Sequence, residues 1–175
     1  IDIFGNSSFV ILTLKLIVIL LKRECKNLGI LSIFSTRILN GNDIEIYEDG
    51  MQTRDFVYID DVVNATVLAL KKSNLKSQGY NVGSGKPITV LKVAQKLKEL
   101  YKTKTNITIS NKYRKGDIRH NFADLSLIKQ DLGFVNAFSF DRGLLNFVKW
   151  VQKQDIQDDK YDSSVQEMIQ KGIMK

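Results

Sequence analysis

The sequence predicts an α/β fold, in which short strands alternate with amphipathic helices. Two observations predict this class. A β-branched and aromatic run at residues 56–59 has the length of a strand and leads into a helical segment that ends near Lys71. A second unit runs from a short apolar segment at residues 80–82, through a glycine loop at residues 83–85, into a helix after Thr89. Two strand-loop-helix units in succession indicate an α/β core.

The chain before the central segment predicts one helix and one strand. The helix should end at Asn40-Gly41, because glycine adopts the left-handed conformation that stops a helix. Ile44 and Ile46 then alternate with polar neighbours, as in a strand, and residues 48–50 predict a turn. The apolar face of the helix consists of Ile30, Ile33, Phe34 and Ile38.

Two acidic residues follow the central strand. Asp60 and Asp61 precede a helix that we expect to begin near Val62, where a carboxylate can cap free N–H groups. They could also be interpreted as a general acid/base pair or as metal ligands. We favour the helix cap, because it explains both acids without catalysis. The single histidine, His120, has no cysteine or histidine partner, so we predict no metal site.

The second half of the chain predicts one strand and several helices. Thr89 can cap a helix with one apolar face, and residues 106–110 alternate as a strand. Asp124 should cap a short helix that stops at Gly133. A further helix should begin at Ser139 or Asp141 and bury Trp150. The apolar face after Thr89 consists of Val90, Val93, Ala94, Leu97, Leu100 and Tyr101.

The ends of the chain differ from its middle. Residues 1–27 form an atypical apolar segment, in which the run at 9–21 is shorter than the ~20 residues of a membrane-spanning helix. Charged residues follow this run instead of preceding it, which disfavours a signal peptide. Residues 154–175 form a tail whose apolar positions have helical spacing. We expect no membrane association and a tail helix that packs on the body or on a partner.

Composition restricts the function further. The chain of 175 residues can bury one core but is about half of what a two-domain dinucleotide enzyme needs. The net charge of +7 comes from lysines that are spread along the chain without a basic block, so we expect no nucleic-acid partner. Cys25 is the single cysteine, allows no internal disulfide and indicates a reducing, cytoplasmic compartment.

The glycine loop does not have the spacing of a triphosphate-binding loop. A P-loop requires a glycine five residues before Gly85 and a serine or threonine after Lys86. Tyr80 and Pro87 occupy those positions. The loop is therefore interpreted as a turn at the end of a strand.

Several ordered motifs resemble one enzyme family. The chain contains I-Y-E-D-G, R-D-F-V-Y-I-D-D-V, Y-N-V-G-S-G, R-K-G-D-I-R-H-N-F-A-D-L-S, L-G-F and F-V-K-W in that order. Together they resemble the C-terminal half of extended short-chain dehydrogenases/reductases, the NAD-dependent nucleotide-sugar epimerases and dehydratases. The most similar branch contains the UDP-glucose 4-epimerases and dTDP-L-rhamnose 4-epimerases. The resemblance covers roughly residue 28 to the end of the chain, with the nucleotide-sugar-binding portion at residues 28–153, and we expect residues 6–27 not to match.

The resemblance implies a substrate-binding portion that carries part of a Rossmann sheet, with the N-terminal dinucleotide-binding region missing. It implies a UDP- or dTDP-sugar ligand whose diphosphate is held by Arg54 and Arg114, since two guanidinium groups can grip it from both sides. Ile46 and Tyr47 correspond to the segment along the nucleotide base, although a packed strand explains each of them equally well. For Arg114, the alternative is a solvated basic loop. Further substrate candidates, at positions that vary in the family with sugar or nucleotide, are Arg119 and Asn121.

The family acts by transient hydride transfer through NAD, with a tyrosine followed four residues later by a lysine. None of the six tyrosines has a lysine at that position, and no family glycine fingerprint occurs. We therefore expect no catalytic residue and no NAD bound by this chain alone. Its function would be limited to nucleotide-sugar diphosphate binding. The alternative is a non-catalytic binding remnant that associates with a separate N-terminal half or with copies of itself.

Overall fold

A computed structural model describes residues 29–72 and 79–175. In this part of the chain, short strands alternate with helices, as the sequence predicts. In chain order, the elements are α1 (Ile30–Leu39), β1 (Ile44–Ile46), β2 (Thr53–Asp55), α2 (Ile59–Lys71), β3 (Pro87–Thr89), α3 (Val90–Tyr101), β4 (Ile107–Ile109), α4 (Ser126–Leu132), α5 (Phe140–Val151) and α6 (Tyr161–Gln170).

The described strands form two small sheets. Strands β1 and β4 are parallel, with Ile44 opposite Ile107. Strands β2 and β3 are antiparallel, with Thr53 opposite Thr89. The α/β class predicted from the sequence is confirmed. The atypical segment at residues 1–27 lies outside the described residues.

The main core lies between β1 and helices α1, α3 and α5. Ile44, Val93 and Leu97 are completely buried in it. The hydroxyl of Thr89 accepts a hydrogen bond from the Lys92 amide at 3.2 Å, which confirms the predicted cap of α3. A second core joins α2 to α4 and consists of Ala65, Ala69, Leu125, Ile128, Leu132 and Phe134.

The predicted strand at residues 56–59 is wrong. The strand is β2, three residues earlier, because antiparallel pairing with β3 fixes it at Thr53–Asp55. Helix α2 begins at Ile59, so Asp60 and Asp61 lie in its first turn and neither one caps it. The carboxylate of Asp61 is instead buried, and it accepts hydrogen bonds from the amides of Ala137 at 2.9 Å and Phe138 at 3.2 Å. Asp61 therefore ties α2 to the segment before α5.

Three smaller predictions also need correction. Residues 80–82 form no strand, because they have no partner strand for backbone hydrogen bonds among the described residues. Strand β2 pairs with β3 instead. Trp150 is 59% exposed, because it lies nearly opposite the buried Val148 on α5. The N-cap of α4 is Leu125, although Asp124 accepts a hydrogen bond from the Ser126 amide at 2.9 Å.

The tail folds back on the body, one of the two arrangements that the sequence allows. Val165 of α6 is buried, and Arg37 of α1 contacts Asp159 at 3.3 Å. The last residues pair with the segment around Arg114. The Tyr113 amide donates to the Lys175 carbonyl at 2.9 Å, and an antiparallel bridge between Arg114 and Met174 continues this pairing. The tail thus borders the loop that carries Arg114.

Candidate functional site

A cavity among the described residues has a volume of about 510 Å³. It lies between α1, β1, the end of β2 and the tail. Four of the six predicted substrate-binding residues line it, namely Arg54, Arg114, Ile46 and Tyr47. Ligand pockets of proteins usually have volumes of about 300–1,000 Å³, so this cavity is large enough for a small ligand.

Two arginines line the cavity together with an acidic residue. Arg54 extends from β2, and Arg114 from the loop that follows β4. Their guanidinium groups approach the same carboxylate: Arg54 Nη2 lies 3.1 Å from Asp117 Oδ1, and Arg114 Nη2 lies 3.7 Å from Asp117 Oδ2. The sequence interpretation missed Asp117, although it stands three residues after Arg114 in the quoted motif. Two arginines from separate segments are thus held around one anionic group.

The lining of the cavity also has an aromatic and apolar part. Ile46 is buried, and the ring of Tyr47 stacks near that of Tyr161, with centroids 6.4 Å apart and planes 26° apart. The Tyr161 hydroxyl donates to Glu45 Oε2 at 2.9 Å, and the Arg37 guanidinium lies 4.4 Å from the centre of the Tyr161 ring. Tyr161 belongs to the tail and was not among the predicted site residues. Its sequence signal was the helical spacing that it shares with the apolar residues of the tail, which predicted packing and not a place in the cavity.

The ionisable groups of the aromatic part have shifted pKa values. Burial raises the pKa of Tyr161 above that of an ordinary phenol, and the neighbouring Tyr47 hydroxyl and Glu45 carboxylate raise it further. Burial also raises the pKa of Tyr47. Partial burial opposes ionisation of Glu45, but hydrogen bonds from Lys112, Tyr161 and Ser110 outweigh it and hold its pKa below the ordinary value. These tyrosines stay neutral, whereas an acid/base tyrosine requires a lowered pKa.

The remaining two candidates lie elsewhere. Arg119 forms ion pairs with Glu48 at 2.7 Å and Asp49 at 2.6 Å, outside the lining of the cavity. Asn121 lines a second concavity, of about 490 Å³, which it shares with Arg54. A contact of either residue with substrate stays a prediction.

Asp55 organises the segment next to the cavity. Its carboxylate accepts hydrogen bonds from the amides of Ser84 at 2.7 Å, Gly85 at 2.9 Å and Ala123 at 3.1 Å, and from the Ser84 hydroxyl at 2.5 Å. Partial burial raises its pKa, but these hydrogen bonds outweigh that effect and hold the pKa of Asp55 below its ordinary value. Asp55 therefore joins β2 to the glycine loop and to the segment before α4.

Other functional classes receive no support from the described residues. Among residues 29–72 and 79–175, no three His, Cys, Asp or Glu side chains are grouped to hold a metal ion. His120 contacts the hydroxyl of Thr53 through Nδ1 at 3.0 Å. None of the helices in this part of the chain combines the length and apolar character that a membrane crossing requires.

Comparison with known proteins identifies the family. The model of the NAD dependent epimerase/dehydratase family matches residues 9–83. The chain is 32% identical over 126 residues to dTDP-L-rhamnose 4-epimerase of Burkholderia thailandensis, a match that covers 72% of this chain and 34% of that protein. It is 33% identical over 132 residues to UDP-glucuronate 4-epimerase 5 of Arabidopsis thaliana, covering 67% of this chain and 30% of that protein.

Solved structures agree with these matches. The fold resembles UDP-glucose 4-epimerase of Thermotoga maritima, solved with UDP-glucose, with a TM-score of 0.66 and 34% identity over 71% of this chain and 40% of that one. It also resembles MoeE5 in complex with UDP-glucose and NAD, with a TM-score of 0.65 and 30% identity over 71% of this chain and 42% of that one. This chain belongs to the NAD-dependent epimerase/dehydratase family. It spans about a third of the length of the curated relatives that it matches.

The match corrects one boundary. The family model begins to match at residue 9, inside the segment that we expected to fall outside the resemblance. The predicted family and the predicted branch are otherwise confirmed by the relatives.

The residues of this chain do not fit the NAD cofactor of the epimerase/dehydratase family. Its sequence has neither the glycine fingerprint nor the tyrosine-lysine pair. The glycine loop after residue 82 cannot substitute, because the Asp55 carboxylate already accepts the amide hydrogens of Ser84 and Gly85. A phosphate at this loop would compete with a charged carboxylate for the same donors. We therefore derive no hydride transfer from these residues.

Proposed function

We propose that this chain binds the diphosphate of a UDP- or dTDP-sugar through Arg54 and Arg114. One observation carries the proposal: two arginines from separate segments line one cavity with Ile46 and Tyr47. Both guanidinium groups lie near the carboxylate of Asp117. An anion-binding cluster beside an aromatic surface has the chemistry that a nucleoside diphosphate requires. The relative from Thermotoga maritima, solved with UDP-glucose, supports the same ligand class.

Asp117 holds the two guanidinium groups close together before any ligand arrives, and a diphosphate would have to replace this carboxylate, whose side chain is 36% exposed, as their partner. Their side chains are 27% exposed for Arg54 and 48% exposed for Arg114, so both remain accessible from the cavity. Arg54 is further fixed because its Nη1 donates to the carbonyls of Thr53 at 2.9 Å and Arg119 at 3.2 Å. Guanidinium groups held in place lose little conformational entropy when they bind a diphosphate.

For the full-length enzyme we propose sugar 4-epimerisation, an isomerase reaction, with NAD bound by a dinucleotide-binding region. This activity is supported by the names of the relatives. The residues described here would contribute substrate binding and not hydride transfer. A cytoplasmic location is supported by the single cysteine of the sequence.

Calorimetric titration with UDP-glucose and dTDP tests the diphosphate site. We expect the wild-type chain to bind both ligands and Arg54→Ala or Arg114→Ala to weaken binding about tenfold or more, because each loses a charge-assisted hydrogen bond. Arg142→Ala is the matched control, since Arg142 lies on α5 over the Phe138 ring and outside the cavity lining. Absence of binding by a wild-type chain that unfolds cooperatively would refute the proposal.

An interaction role is the second candidate, and an exposed helix face favours it. On α2, Ile59, Val63, Val67 and Leu70 repeat at helical spacing and are 46%, 53%, 36% and 66% exposed. A continuous apolar stripe on a soluble helix commonly marks a contact surface. We propose that this stripe contacts a separate dinucleotide-binding half or a second copy of the chain.

Light scattering across a concentration series tests the stripe. The wild-type chain, tested without a partner, should associate with itself as its concentration rises, and Val63→Lys should suppress this association because it places a charge in the apolar contact. Val135→Lys is the matched control, because Val135 is 72% exposed but lies outside α2. Equal association of both variants would exclude the α2 stripe as the contact.

A further inference from the structure

Asn40 joins the end of α1 to the tail. Its side-chain nitrogen, Nδ2, donates hydrogen bonds to the carbonyls of Thr36 at 2.9 Å and Gln157 at 3.0 Å. Thr36 lies one turn earlier in α1, whereas Gln157 lies in the tail, 117 residues further along the chain. Both partners are acceptors, so these contacts require the N–H groups that an asparagine has and an aspartate lacks.

Neighbouring polar contacts attach the same stretch of the tail. Asn42 Nδ2 donates to Asp159 Oδ2 at 2.7 Å, and Arg37 forms an ion pair with Asp159 at 3.3 Å. Within α6, Val165 is the buried apolar residue. Hydrogen bonds and charges therefore carry much of the attachment between the end of α1 and residues 155–162.

Asn40 is also followed by glycine, the context in which an asparagine is chemically least stable. Asn40-Gly41 is the single Asn-Gly pair of the 175 residues. The Gly41 nitrogen can attack Cγ of Asn40, because glycine has no side chain to hinder the approach. The new C–N bond closes a succinimide ring, the bond from Cγ to Nδ2 breaks, and Nδ2 leaves as ammonia with the proton that Gly41 gives up. Water then adds to a ring carbonyl and opens the ring to aspartate or isoaspartate.

The folded arrangement opposes this reaction. The Gly41 amide donates to the Ile38 carbonyl at 3.1 Å, and the two hydrogen bonds of Nδ2 hold the carboxamide toward Thr36 and Gln157. Ring closure requires both groups to leave these partners. Local opening of the tail releases the contact with Gln157, so this opening should control how fast Asn40 reacts.

We propose that Asn40 is a deamidation site whose conversion to aspartate releases the tail from the body of the protein. The carboxylate of the product only accepts hydrogen bonds, so it cannot donate to either carbonyl. It also adds a negative charge beside residues 155–162, which already carry four aspartates. Because Tyr161 and Ser164 of the tail line the cavity, the release would open the cavity on that side.

Mass spectrometry of the peptide that contains Asn40 tests the reaction. In the purified chain at mildly alkaline pH, Asn40 should convert faster than Asn64, an exposed asparagine of α2 that is followed by alanine. Val165→Ala removes part of the buried side chain of α6 and should speed the conversion severalfold, because the tail then opens more often. Ile169→Ala is the matched control, because Ile169 lies on the same helix and is 45% exposed.

Hydrogen–deuterium exchange tests the release. Asn40→Asp reproduces the product and should raise the exchange rate of the α6 amides about tenfold, because two hydrogen bonds are lost. The amides of α3 around Val93 and Leu97 belong to the main core and should keep their protection. Asn64→Asp adds the same charge at an exposed position of α2 and should leave α6 unchanged.

The outcomes separate the reaction from its effect. Faster conversion in Val165→Ala, together with selective exchange of α6 in Asn40→Asp, supports the proposal. An Asn40 that stays unmodified, or that converts at the same rate in Val165→Ala as in the wild type, overturns a deamidation site controlled by the tail. Unchanged α6 exchange in Asn40→Asp, or equal loss of protection in α6 and α3, overturns the release. Neither measurement uses a ligand, so failure of the diphosphate site would not affect them.

Discussion

Replacing Asp55 with alanine should lower the free energy of unfolding by about 3 kcal/mol, one of the two largest effects that we expect in this chain. The carboxylate receives four hydrogen bonds from three separate positions, Ser84, Gly85 and Ala123. Without it, three backbone amides lose their acceptor where the glycine loop meets β2. Urea denaturation followed by circular dichroism measures the change. Glu99→Ala, an exposed carboxylate on α3, should remain close to the wild type.

The pH dependence provides an internal check of the Asp55 result. The folded-state pKa of Asp55 is lowered, so its contribution to stability is present above the unfolded-state value of about 3.9 and is lost as pH falls through the folded-state pKa. The difference in unfolding free energy between wild type and Asp55→Asn should be constant above about pH 5 and shrink below it. A difference that does not change with pH would show that the ionised carboxylate is not the source of the stability.

Replacing Gly83 with alanine should destabilise the protein by about 3 kcal/mol or more, through steric overlap in a packed site. A Cβ at Gly83 would lie 2.5 Å from Asp55 Oδ2 and 2.6 Å from the Ala123 Cβ. Neither neighbour is the free end of a long side chain, so β2 and the segment before α4 would have to separate. The midpoint of thermal or urea unfolding measures this effect.

Gly79→Ala is the matched control for Gly83→Ala. A Cβ at Gly79 meets no atom within 4 Å, and its backbone does not require the left-handed region. The control should therefore unfold at or slightly above the wild-type midpoint, because alanine restricts the unfolded chain. If the two variants unfold alike, the packing between Gly83 and Asp55 is looser than the distances indicate.

Features that depend on nearby residues could be predicted from the sequence. The cap at Thr89 and the buried face of Val93 and Leu97 follow from spacing within one helix, and the structure contains both. The stop at Gly133 has the same local origin, and the glycine adopts a φ of 64°. The family motifs were also sufficient to name Arg54 and Arg114, which line one cavity.

Features that depend on distant residues could not be predicted in the same way. Asp61 looked like a helix cap because its partners, Ala137 and Phe138, lie 76 and 77 residues further along the chain. Tyr161 reaches Glu45 across 116 residues, so no local pattern marked it as part of the cavity. Trp150 was placed in the core because of its residue type, whereas the rotation of α5 directs it outward.

The contact between Arg37 and the tail determines when the cavity can be completed during protein synthesis. The carboxylates that pair with Arg37 belong to Asp159 and Asp162, 122 and 125 residues later. At translation rates of about 5–20 residues per second, the ribosome needs roughly 6–25 s to reach them after adding Arg37. Helix α1 and β1 therefore leave the ribosome well before their covering wall exists. Premature termination before the tail would leave a nascent chain with its aromatic surface open to water.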